Sequence, residues 1–234
     1  MRISVIIPTL NEAENIGKLI QYLQSHADER LLEIIVVDAQ STDDTEGVAL
    51  SHGATVLQSE RGRAKQMNLG AKHAKGTILY FIHADCLPPE TYLADVQKAV
   101  LEGFPIGCYR SKFDSRNPLL KMNAFFTRFK PLYCRGGDET LFVTKDVFQE
   151  LGGYDENYCI MEEYAFIKKA YSLYPFKIIP KYILISARKY ETNTWFRVQY
   201  ANFVAFSMFR KGFSPQAIAA KYQKNLNYRK FENA

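Results

Sequence analysis

The sequence contains no apolar run approaching the roughly 20 residues that span a bilayer. The apolar stretch Ile3–Ile7 meets Pro8 at once and lacks the form of a signal peptide. Cysteine is sparse: Cys86, Cys108, Cys134 and Cys159 are scattered, with no CxxC spacing. That argues against a zinc knuckle or a disulfide framework and fits a reducing, cytoplasmic setting. The four histidines show no metal-ligand spacing. Pro8-Thr9-Leu10-Asn11-Glu12 has no glycine, so the Gly-rich phosphate loop that a nucleotidyltransferase would place after its first strand is missing. No internal repeat, low-complexity segment or linker divides the 234 residues.

What is present is an ordinary globular composition, 47% hydrophobic and 24% charged, with enough chain for a sizeable core. Charge is unevenly placed. From Lys168 onward there are 13 Lys or Arg against 2 Asp or Glu. A basic C-terminal third suits an anionic membrane, a phosphate-bearing acceptor or a solvated surface. Nucleic acid is the weakest partner, since no recognition motif accompanies the charge.

The chain is organised around Ile78–Ile82, a short apolar run of the kind buried on both faces of a parallel sheet. It stops at His83-Ala84-Asp85, ahead of Pro88-Pro89. An acid past the carboxyl end of such a strand stands where open α/β sheets bind ligands. The competing reading is that Asp85 caps a helix starting near Pro89. Similar strands are predicted at Arg2–Pro8, Leu31–Val37 and Ala54–Leu57, with helices at Glu12–His26, from Ser41, and at Arg61–Ala74. Strands alternating with helices imply βαβ units and a parallel sheet. The polar ends of the first, second and fourth strands should share one sheet edge.

Further along, a helix is expected from Pro89 to Leu101 and strands at Ile106–Phe113 and Thr140–Thr144. Phe176–Ile179 and Tyr182–Ser186 read as two strands, and Met161–Tyr174 as a helix. Thr192–Lys211 reads as a long aromatic helix, followed by a last helix that Ser214-Pro215 opens. For the long helix three readings stand: packing over the sheet, packing into a homodimer, or a peripheral membrane contact.

Taken in order, Pro8-Thr9-Leu10-Asn11-Glu12, Val37-Asp38-Ala39-Gln40-Ser41-Thr42-Asp43-Asp44-Thr45, His83-Ala84-Asp85, Gly152-Gly153-Tyr154 and Met161-Glu162-Glu163 resemble family-2 glycosyltransferases of the GT-A fold. More narrowly, Gly62–Asn68, Gly137-Asp138-Glu139 and Ser186–Tyr190 resemble a bacterial subgroup labelled arsenosugar-biosynthesis glycosyltransferases.

The resemblance implies an α/β fold with a Rossmann-like, mostly parallel central sheet flanked by helices and a helical C-terminus. It implies one domain, with a nucleotide-binding half at 1–114, an acceptor and catalytic half at 115–190, and C-terminal helices at 191–234. It implies a nucleotide-diphosphate-sugar donor, more in keeping with UDP than GDP. Pro8 and Thr9 would line the base, Glu12 would accept from a ribose hydroxyl, and Asp38 from a base N–H. Arg63 would steady the diphosphate, and Gln66 and Asn68, on the same helix, belong to the donor-binding motif.

The family's Asp-x-Asp metal motif is His83-Ala84-Asp85 here, leaving Asp85 as the principal ligand of Mg²⁺ or Mn²⁺. Asp138 and Arg188 would meet donor or acceptor. Glu163 would be the base that deprotonates the acceptor hydroxyl in an inverting transfer, with Glu162 the fallback. Three departures (His83, Glu163 where Asp is usual, Ala165 where an acid is common) support a rival, a nucleotide-sugar-binding protein that has lost catalysis.

Overall fold

The computed structural model describes residues 1–135 and 140–226. One eight-stranded sheet runs through it, in the order β3-β2-β1-β4-β7-β6-β8-β5. Its strands are β1 (Ile3–Thr9), β2 (Leu31–Asp38), β3 (Thr55–Gln58), β4 (Ile78–Phe81), β5 (Cys86–Leu87), β6 (Ile106–Phe113), β7 (Leu141–Thr144) and β8 (Phe176–Ile185). β3, β2, β1 and β4 are mutually parallel. β7 is antiparallel to both β4 and β6, and β6 and β8 are again parallel.

Alternate residues of the central strands enter two different cores, which is why these strands read as unbroken apolar runs. Val5, Ile7, Val36 and Tyr80 face the helices α1 (Ala13–Ser25), α2 (Thr45–Ser51) and α4 (Tyr92–Leu101). Ile6, Val37, Leu79 and Phe81 face α3 (Arg63–His73), α6 (Lys145–Glu150) and α7 (Glu162–Tyr171). Ile16, Leu19, Ile20 and Leu23, recurring at helical spacing, form the buried face of α1. Gly107 permits the β6–β8 approach, since a Cβ there would lie 2.3 Å from the Lys177 carbonyl.

A third cluster stands apart from the sheet. α8 (Trp195–Arg210) packs Val198, Ala201, Ala205 and Phe209 against Ile218 and Tyr222 of α9 (Pro215–Asn225), with Ile160 alongside. Both helices start on side-chain caps, Thr194 accepting from the Arg197 amide and Ser214 from the Ala217 amide. α5 (Pro118–Phe126) is capped by Asn117.

Several expectations are corrected. Phe176–Ile179 and Tyr182–Ser186 are one strand, β8, whose pairing with β6 shifts register between Tyr109 and Arg110. Pro180 and Lys181 fall in that irregularity. The helix expected from Pro89 begins at Tyr92, with Thr91 at its N-cap position. Asp85 therefore does not cap it. The helix expected from Ser41 begins at Thr45. β5, unanticipated, exists through its pairing with β8. Asp138 lies outside the described residues.

Candidate active site

The carboxyl ends of β1, β2 and β4 lie side by side, as the sequence suggests. Asp38 closes β2 and is buried. Its carboxylate accepts from Thr9 Oγ1 at 3.1 Å, from the Ser41 amide at 2.8 Å and from Ser41 Oγ at 2.5 Å. Those bonds fold the Ala39–Ser41 turn back on the strand, with Gln40 in the left-handed region at φ 59°. Across the cleft, Asn11 also has positive φ, 54°, and its side-chain oxygen accepts from the Thr42 amide. Glu12 is tied into the same corner, its amide donating to Thr45 Oγ1. Ser41 and Thr45, missed as site residues, are the hydroxyls that hold these two acid-bearing turns together. Both lie within the Val37–Thr45 motif, which is the sequence signal for them.

Asp85 and Glu12 share one cation. Arg188 forms a two-pronged pair with Glu12, Nη1 to Oε2 at 2.9 Å and Nη2 to Oε1 at 2.5 Å. The same Nη2 stands 3.0 Å from Asp85 Oδ2. Arg188 belongs to a short 3-10 turn, Arg188–Tyr190, just past β8. The turn ties the chain past β8 to Glu12 and Asp85 through a charge-assisted fork.

His83, two residues before Asp85, reaches the other way. Its Nε2 lies 3.3 Å from Glu163 Oε1. Glu163 is buried at the start of α7, and its Oε2 has no hydrogen-bond partner among the described residues. Burial pushes the Glu163 carboxyl up to about 7, while the His83 contact and the Arg63 charge hold it down. Glu162 is buried beside it, with Arg63 Nε 2.8 Å from its Oε1, an ion-pair contact lacking hydrogen-bond alignment. Met161, at the N-cap position of α7, is left-handed at φ 69°. For a non-glycine residue that conformation costs energy, and it sets the entry of the helix that carries the acid pair.

Other candidates occupy supporting positions. Gln66 is buried under the strand ends, where its Nε2 donates to both Thr9 O and Val37 O at 2.8 Å. Asn68 faces away from it. Asn68 donates to Tyr154 O and accepts from the Tyr154 amide, both at 2.9 Å. Gln66 thus braces the ends of β1 and β2, and Asn68 braces the Gly153-Tyr154 loop. Asn68 also explains Gly153: at φ 69° that residue suits glycine, and a Cβ would come 2.8 Å from Asn68 Oδ1. Pro8 and Ala84 are buried at the strand ends.

Beyond the acid pair opens a cavity of about 420 Å³. Arg63, Met161, Tyr133, Lys189, Tyr190 and Asn202 are among its walls. α5 and α8 flank it, joined through Tyr190, whose hydroxyl accepts from Asn123 Nδ2 at 3.5 Å and from Gln199 Nε2 at 3.4 Å. Arg63, which lines the cavity, is also the cation beside Glu162 at the start of α7.

Comparison with known proteins agrees with this architecture. The chain is 35% identical over 98 residues to glucosyl-3-phosphoglycerate synthase of Mycolicibacterium paratuberculosis, covering 37% of this chain and 29% of that protein. It is 30% identical over 112 residues to dolichol-phosphate mannosyltransferase of Pyrococcus furiosus, covering 45% and 32%. The matched stretch is therefore about a third of the length of these curated relatives. Among solved structures, the mannosyltransferase PcManGT of Pyrobaculum calidifontis, in complex with GDP-Man and Mn²⁺, superposes with TM-score 0.66 at 22% identity, covering 95% of this chain and 68% of that one. Glucosyl-3-phosphoglycerate synthase of Mycobacterium tuberculosis, with Mn²⁺, UDP and glucosyl-3-phosphoglycerate, gives 0.62 at 18%, covering 91% and 80%. At such identities the likeness is one of fold. The family model described as Glycosyl transferase family 2 matches residues 4–182, which takes in both acid-bearing strand ends and the Glu162-Glu163 helix, and the chain belongs to that family.

Proposed function

We propose that the chain is an inverting, metal-assisted glycosyltransferase that moves a sugar from a UDP-sugar to an acceptor hydroxyl. The observation that carries this reading is Glu163: a buried carboxylate with its pKa near 7, in contact with His83 of the loop that also bears Asp85. A base poised near the working pH is effective for proton abstraction. In the reaction, Glu163 takes the proton of the acceptor hydroxyl. The acceptor oxygen bonds to the anomeric carbon on the face opposite the diphosphate. The bond from that carbon to the phosphate oxygen breaks, and the nucleoside diphosphate leaves with the electron pair.

Both solved neighbours named above contain Mn²⁺. The donor set here fits a hard cation that arrives with its substrate. Asp85 supplies one partly exposed carboxylate oxygen pair, and the described residues hold no cluster of three or more His, Cys, Asp or Glu. A Mg²⁺ or Mn²⁺ ion tolerates one protein carboxylate when phosphate oxygens and water complete its shell. When bound, the ion supplies Lewis-acid stabilisation of the departing diphosphate. His83 contributes no negative charge there and instead orients Glu163. Glu12 and Asp38 recognise ribose and base, and Arg188 exchanges its acids for phosphate oxygens. The narrower arsenosugar likeness rests on three short motifs, one of which, Gly137-Asp138-Glu139, lies outside the described residues.

Thermal denaturation with UDP-, GDP- and dTDP-sugars, with and without Mn²⁺, tests the donor site. A UDP-sugar is expected to raise the Tm more with Mn²⁺ than without, and Asp85→Ala to abolish the metal's increment. No shift with any nucleotide at millimolar concentration overturns the reading.

A further inference from the structure

α8 has more aromatic surface than its packing uses. Its inward residues Val198, Ala201, Ala205 and Phe209 complete the core with α9. Phe196, Tyr200 and Phe203, spaced i, i+4, i+7, share another face and are 73%, 59% and 69% exposed. Across the cavity the same occurs on α5 and the turn after it, where Met122, Phe125, Phe129 and Tyr133 are all exposed. Phe125, Phe126 and Phe129 touch one another, with ring centroids 5.7 to 6.3 Å apart, and none is buried. Exposed aromatics gathered on two neighbouring elements exceed the scattered apolar residues normal for a surface.

The charge around them has one sign. Residues 115–134 contain four Lys or Arg and no Asp or Glu, and residues 192–226 contain five and none. Arg128, Lys130, Arg210 and Lys211 form no ion pair with an acid among the described residues. Arg128 lies 4.0 Å over the Phe125 ring, an apolar stem and ring beneath a cationic tip. Arg210 follows Phe203 by seven residues and so continues its stripe. No helix of the described residues is long and apolar enough to cross a membrane.

We propose that the outer faces of α5 and α8 form a docking surface for an anionic phospholipid bilayer. The aromatic rings enter the interfacial layer, and the cations meet headgroup phosphates. The cavity that both helices line would then lie beside the bilayer, within reach of an acceptor held at its surface. A second copy of this chain fits the face less well, since two surfaces bearing only Lys and Arg would repel.

Vesicle flotation of the full chain tests the surface without requiring donor or acceptor. Vesicles of phosphatidylcholine with phosphatidylglycerol are expected to carry the protein, and phosphatidylcholine alone to carry it at least tenfold less. Arg210→Gln with Lys211→Gln should weaken binding roughly fivefold per cation removed. Phe196→Ser with Phe203→Ser should abolish it while leaving the Tm and the nucleotide-induced shift unchanged. Three results overturn the proposal: no flotation with anionic vesicles at physiological salt, undiminished binding by the serine variant, or a dimer by light scattering that those serines dissolve. Loss of the nucleotide shift in the wild-type protein would instead count against the transferase reading.

Discussion

Glu163 is a carboxylate placed where ionisation is difficult, and its titration should be visible in two independent measurements. A free glutamate titrates near 4.3; in the folded chain burial lifts Glu163 to about 7. Between those values the unfolded chain has lost the proton that the folded chain keeps. Folding then takes up a proton, and stability falls as pH rises through the window, levelling off above about 7. The loss is on the order of 3 kcal/mol. Glu163→Gln keeps the shape of the protonated acid at every pH. Urea denaturation should therefore find the two proteins alike at pH 4 and the variant more stable at pH 8. Catalysis moves the opposite way. Turnover of a UDP-sugar by the wild-type protein should climb with pH and reach half its plateau near 7. Glu163→Gln should lower it by about 10²–10⁴-fold. His83→Ala removes a contact that favours the ionised acid, so the rising limb should shift to higher pH. A pH profile indifferent to both substitutions would assign the base elsewhere.

Elements carry the next layer, because the site is assembled from ends of strands and starts of helices. Gln66 of α3 joins the ends of β1 and β2 through two bonds to buried carbonyls. Gln66→Leu leaves Thr9 O and Val37 O without that donor and should cost about 1–3 kcal/mol in urea, with nucleotide affinity falling as the strand ends loosen. Arg188 joins the turn after β8 to Glu12 and Asp85. Asp85 cannot give its full charge to a metal ion while it pairs with a guanidinium. Calorimetry on Arg188→Ala should therefore show tighter Mn²⁺ binding without nucleotide and weaker UDP binding; unchanged affinities for both would remove Arg188 from the donor site. These two residues also mark the limit of what the sequence makes legible. The ends of β1, β2 and β4 could be read because each apolar run stops at a polar turn, a local signal. α7 with its acid pair could be read from a motif. Gln66 and Asn68 sit two apart on a helix and point to different places, Gln66 to the ends of β1 and β2 and Asn68 to Tyr154, partners far along the chain. Arg188 meets Glu12 across 176 residues, a pairing that no local pattern encodes. Pro180-Lys181 interrupts the apolar run of β8 and so reads as a break, yet a register shift in the pairing carries the strand through.

At the scale of the whole molecule, the proposed donor-binding edge and the proposed base depend on different cores. The strand ends that carry Asp38 and Asp85 rest on the two large clusters flanking the sheet. The loop before α7 does not rest on them alone: Ile160 is buried in the α8–α9 cluster, with Met161 and Tyr164 packed against it. Met161 holds its left-handed conformation directly before Glu162, so whatever loosens that cluster should release the acid pair before it disturbs the nucleotide site. Ile218→Ala tests this. Ile218 is fully buried between α8 and α9, and its truncation should cost about 2–5 kcal/mol within that unit. Because local unfolding is drawn from the least stable region, hydrogen exchange should accelerate in α8, α9 and the 158–164 segment while β1, β2 and β4 stay protected. The nucleotide-induced Tm shift should persist as turnover falls, separating kcat from donor affinity. Equal acceleration across the sheet, or parallel loss of donor binding and turnover, would mean that the small cluster and the large cores unfold as one, and that the base owes its position to the sheet.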